Sequence, residues 1–136
     1  MTSPILALRH AILEAAAADA ELVASMGGAL RLYDEPPRAA TPVYALFADV
    51  VAKDWSTDSD KGHEQAAGLV VWAEPGSARS ALTAAERFVA ILDGAALSLA
   101  GHRLVNLRVT EISAVRDKHT QQARVTLHLR AVTEVA

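Results

Sequence analysis

Hydrophobic and polar residues recur along this 136-residue chain in two rhythms. From Ser3 to Met26 apolar positions return every three or four residues: Leu8, Ile12, Ala15–Ala16, Leu22–Val23. Arg9, Glu14, Asp19 and Glu21 mark the wet side, so the period predicts a helix. Ser3 is a good N-cap, Pro4 suits the first helical position, and Gly27–Gly28 stop the run; a break or bend is expected near Asp19. Ser77 to Leu92 repeats the rhythm, with Ala81, Leu82, Ala85, Phe88, Val89 and Leu92 on one stripe and Asp93-Gly94 closing it.

Elsewhere the period is two. Val125, Leu127, Leu129 and Ala131 alternate with Arg124, Thr126, His128 and Arg130, which predicts a half-buried strand over Ala123–Val132. Its partner, Arg103–Val115, sets Val105, Leu107 and Val109 against Asn106, Arg108 and Thr110. The phase then slips at Ile112, which implies a bulge, and Arg116–Gln121 forms a loop with no tight-turn signal. Pro42–Trp55 and Glu64–Glu74 read as an earlier pair of strands around the polar stretch Asp54–Gly62. Ala29–Tyr33 could add a short strand before the rigid turn Asp34-Glu35-Pro36-Pro37. The expected architecture is α+β: an antiparallel four-stranded sheet of two hairpins, with room for one short extra strand. Two helices pack on one face, in the order α-β-β-α-β-β. Length and the lack of any linker predict a single domain over 1–136.

The earlier hairpin is apolar on both faces. Val43, Ala45 and Phe47 lie opposite Tyr44, Leu46, Ala48 and Val50, and Leu69 and Val71 lie opposite Val70 and Trp72. Two short helices cover one face of a sheet, so either they sandwich this hairpin more fully or a partner covers the second face.

Composition narrows the chemistry. Zero cysteines exclude disulfides, thiol catalysis and cysteine-ligated metals. Thirteen Lys and Arg against sixteen Asp and Glu give a net charge of −3, with no general pull toward nucleic acid or anionic lipid. The hydrophobic fraction is 51% but aromatics are only 4%, because 29 residues are Ala. Met1–His10 lack the cationic start and apolar run of a signal peptide, and nothing approaches the roughly 18 apolar residues of a membrane span. A cytoplasmic protein, or part of something assembled there, is expected.

No serine sits in a nucleophile elbow, and the five histidines are scattered singly. Asp58, Asp60, His63 and Glu64 bring potential ligands close together, the acidic ones through oxygen, but Gly62 and Glu64 fall at the wrong offsets for a calcium loop. There is no phosphate-binding glycine loop. Arg108, Arg124, Arg130 and His128 could form a small basic patch on the last hairpin, without stacking aromatics on those strands. No catalytic, cofactor-binding or metal-binding residue is therefore expected. Asp34, Glu35 and His63 are the residues a small ligand-binding module or enzyme would use, if a pocket brought them together.

Four short motifs in order carry a resemblance. Arg31-Leu32-Tyr33-Asp34-Glu35-Pro36-Pro37 is followed by Pro42-Val43-Tyr44, then Trp55-Ser56-Thr57, then Gly62-His63-Glu64, then Val71-Trp72-Ala73-Glu74-Pro75-Gly76. The chain resembles, from the first helix to about Gly101, the tail-completion or tail-terminator family of long-tailed phages, prophages and gene transfer agents. Ala73 departs from the serine usual after that tryptophan. The resemblance implies an α+β protein forming a six-fold ring that caps the tail tube and stops its growth. Such a ring docks the head-side connector and lets DNA pass through its lumen, with no catalysis and no cofactor. It implies partners: further copies in a homohexamer, the tail-tube protein and the connector. It also implies assembly in the cytoplasm and residence in the particle. Another connector or minor tail position in the same particle is the alternative. Tyr33, Asp34, Pro36, Pro37, Pro42, Tyr44, Gly62, Glu64, Trp72 and Gly76 match family positions and are expected to shape the fold or a ring contact. Core packing is the plainer role for Trp72. Trp55 and the Asp54–Gly62 loop could reach a neighbouring copy or the tube, with burial of Trp55 in the monomer as the equal alternative.

Overall fold

A computed structural model describes residues 3–136. Three helices lie against one face of a curled, seven-stranded mixed sheet. The helices are α1 (Pro4–Ala17), α2 (Ala20–Ser25) and α3 (Ala78–Leu92). The strands are β1 (Leu32–Tyr33), β2 (Tyr44–Phe47), β3 (Val51–Asp54), β4 (Gly62–Trp72), β5 (Ser98–Leu99), β6 (His102–Arg116) and β7 (Ala123–Val135). Spatially they run β1-β2-β4-β7-β6-β5, and β3 also pairs with β4.

The sheet is built on β4 and β7, which pair antiparallel from Gly62↔Glu134 to Trp72↔Arg124. Leu69, Val71, Val125, Leu127 and Leu129 point from these strands to the helices and are buried. Leu8, Ile12, Leu22, Phe88 and Leu92 close on them from the other side. Each such side chain contributes about 1.5–3 kcal/mol by leaving water. Gln65 is buried on the same face and donates through Nε2 to the Pro4 carbonyl at 3.0 Å, tying β4 to the start of α1.

The four-stranded, two-helix expectation is corrected at three places. The run Ser3–Met26 is two helices, because Asp19 leaves the helical region (φ −92°, ψ 105°) and caps α2, accepting from the Leu22 N–H. The run Pro42–Trp55 is two strands in one lane along β4. From Phe47 to Val51 the chain takes four steps while β4 takes three, Leu69 to Ala66. That extra residue flips the alternation, so Val51 faces solvent. Finally, β1 pairs with β2 in parallel, which makes the sheet mixed, and β5 adds an edge against Arg103 and His102. Such two-residue strands carry too few positions to show any period.

Candidate functional site on the helix-free face and the sheet edges

Register defines what the face away from the helices presents. One row across it reads Tyr44, Trp72, Arg124, Val115, and a second reads Tyr33, Leu46, Val70, Thr126, Ser113. Toward the other end lie Lys53, Glu64 and, displaced along the strands, Arg130 and Arg108. Tyr44, Leu46, Val70 and Trp72 are half-buried, so the second apolar face of the early hairpin is a partly exposed strip.

Two tryptophan–arginine pairs order this face. The Arg124 guanidinium lies 5.4 Å from the Trp72 ring centre and that of Arg130 lies 5.7 Å from Trp55. Arg130 is itself fixed, donating to Glu64 Oε2 through two nitrogens at 2.7 and 3.2 Å. Arg124 lies 3.7 Å from Asp117. Asp117 takes the Thr120 and His119 N–H groups, which hold its carboxyl below the usual range. The three arginines that could have formed a basic patch each lie beside a carboxylate, Arg108 being 3.3 Å from Asp93.

The remaining sequence-expected residues fall into place around these pairs. Tyr33 and Tyr44 rings lie 6.5 Å apart, and burial pushes the Tyr44 phenol up. Asp34 pairs with Arg9 at 3.1 Å. Pro36 and Pro37 are exposed in the connector from β1 to β2, which Arg31 braces by donating to the Thr41 and Pro42 carbonyls. Gly62 opens β4 where a Cβ would meet the Thr133 carbonyl at 2.6 Å. Gly76 turns the chain into α3 at φ +75°. Trp72 lies outside the buried core, contrary to plain core packing. Trp55 is 55% exposed at the end of β3. The Ser56 hydroxyl and N–H both donate to Asp54, lowering its pKa.

A ligand-binding reading fails on distance. Asp34 follows β1 level with Phe47 and Leu69, whereas His63 lies six residues further along β4, about 20 Å away at strand spacing. Among the described residues no group of three or more His, Asp or Glu could hold a metal. No described helix is long and apolar enough to cross a membrane.

The sequence left Val51 unnamed and gave Val115 and Ile112 no surface role. Val51, Val115 and Ile112 are exposed apolar side chains at the sheet edges. Ile112 was foreshadowed by the phase slip, since the bulge at Val109/Glu111 puts it on the helix side of β6 with Leu107 and Val109.

The family described as "Tail completion protein gp17" matches residues 10–134. The chain belongs to the tail completion protein family. Its fold is similar, with a TM-score of 0.86 and 29% identity, to a chain in the structure "Virion of native gene transfer agent (GTA) particle", covering 98% of this chain and 99% of that one. A sequence comparison with curated proteins gives no match. As a tail completion protein the chain is a structural component of a phage-type tail.

Proposed function

We propose that this chain is a tail terminator: copies close into a ring, six by the family resemblance, on the head-proximal end of the tail tube. The ring stops tube growth and offers its far side to the head-side connector. Its lumen passes DNA without reading sequence. The observation that carries this is the near-complete match to a chain of a gene-transfer-agent virion, within the tail completion family. The surface agrees with an assembly role, because its ordered features are aromatic–arginine pairs and strand edges rather than converging acid–base groups. On this reading the protein needs no cofactor, catalyses nothing, assembles in the cytoplasm and ends in the particle.

Electron microscopy of particles from cells lacking the gene tests it. Overlong or irregular tubes with unattached heads are the expected result. Tubes of normal length beside unattached heads would move the chain to a connector position. Complete particles would overturn both.

A further inference from the structure

Two of the sheet's open strand edges have directions, faces and charges that fit each other. Among the described residues β3 pairs with β4 alone, leaving the outer side of Val51–Asp54 open. On the opposite edge, β5 covers β6 at His102 and Arg103. The end of α3 covers it again, where Gly94 N–H donates to the Leu107 carbonyl and Asp93 accepts from the Val109 N–H. Beyond Thr110, β6 runs uncovered to Arg116 in regular pairing with β7. Open edges recruit strands.

We infer that copies of this chain join by adding β3 of one copy to the open half of β6 in the next, with Lys53 opposite Glu111. Three observations fix that joint. β3 runs antiparallel to β4, and β6 runs with β4 because β7 separates them antiparallel to both. A rotation about an axis along the strands therefore brings β3 and β6 together antiparallel. The same rotation keeps the helices on one side, so helix-face residues must oppose helix-face residues. Ala52 and Ile112 are on that face, level with Gln65 and Leu127; Lys53 and Glu111 are on the other, level with Glu64 and His128.

Within that constraint registers differ by two residues. Setting Lys53 against Glu111 pairs opposite charges, both exposed and neither in an ion pair with another described residue of its own copy. It lays Ala52 on Ile112, which is 55% exposed beside Leu82 and Val89 of α3. On the other face it places Val51 diagonal to Val115, so exposed apolar side chains are covered on both sides of the joint. Because different surfaces meet, the contact is head-to-tail, the kind that forms a ring when its rotation closes. The joint rests on the ring reading proposed above.

Charge exchange in the full-length chain tests it, with assembly followed by light scattering and analytical ultracentrifugation. Lys53→Glu and Glu111→Lys should each weaken association about tenfold, since each replaces an attraction by a repulsion. The double exchange should restore it. Because the native chain has no cysteine, mixed Ala52→Cys and Ile112→Cys copies should form a disulfide between copies under mild oxidation, while each variant alone should not. An assembly indifferent to the exchanges, or a chain that neither associates nor crosslinks, overturns the joint. Tail length in the gene deletion judges the terminator reading separately.

Discussion

Arg87 grips both carboxylate oxygens of Asp19, at 3.0 and 2.8 Å, across 68 residues of sequence. The pair clamps the middle of α3 to the first residue before α2, and Asp19 also receives the Leu22 N–H. Arg87 comes first among the causes that hold the Asp19 carboxyl below its ordinary value. A lowered folded pKa stabilises the folded state above the unfolded value of about 4, and the contribution is lost as pH falls through the folded value.

Asp19→Ala, which removes cap and ion pair together, should cost about 1–2 kcal/mol at neutral pH. Asp19→Asn keeps a capping oxygen and loses the charge. Its melting temperature should therefore fall less than the native protein's between pH 5 and pH 3. Equal slopes for the two in thermal melts would show that Asp19 does not carry this part of the acid sensitivity.

Two glycines should fail for different reasons. At Gly62 an added methyl meets the Thr133 carbonyl at 2.6 Å, with backbone on both sides of the contact. Gly62→Ala is expected to cost about 1–3 kcal/mol by overpacking. At Gly76 there is open space and the obstacle is φ +75°, so Gly76→Ala should cost about 1 kcal/mol. Urea denaturation of the two variants measures the difference.

Size alone should not predict the effect of removing an aromatic ring. Phe88 is fully buried among the helices and sheet, and Phe88→Ala should cost about 3–5 kcal/mol. Trp55 is 55% exposed over Arg130, and Trp55→Ala should change stability by about 0.5 kcal/mol at most. If Trp55 serves assembly, that variant should still fold while associating more weakly. A large drop in the melting temperature of its isolated monomer would assign the ring to folding instead.

Long elements were legible because period and burial agree over many residues. In β7, Val125, Leu127, Leu129 and Ala131 are buried and their alternates are not, as the alternation requires. The bulge in β6 announced itself at Ile112. In contrast, the break between β2 and β3 hides in the sequence. Ala48 and Val50 are apolar and continue an apparent strand, while the decisive fact is how many residues of β4 lie opposite. Parallel pairing of Leu32 with Ala45 leaves no local signature either. The site was legible as family motifs, but the partners that order it, Arg130 for Trp55 and Arg124 for Trp72, lie in a distant strand.

The position of β7 has a consequence for synthesis. It is translated after the six other strands, yet it lies between β4 and β6. Until it emerges from the ribosome, β4 and β6 have no lane to share and the two outer edges have no fixed spacing. Neighbouring nascent chains on one messenger thus meet as incomplete sheets, unable to engage each other in the finished geometry. For the joint proposed above, translation order delays association until each subunit is whole.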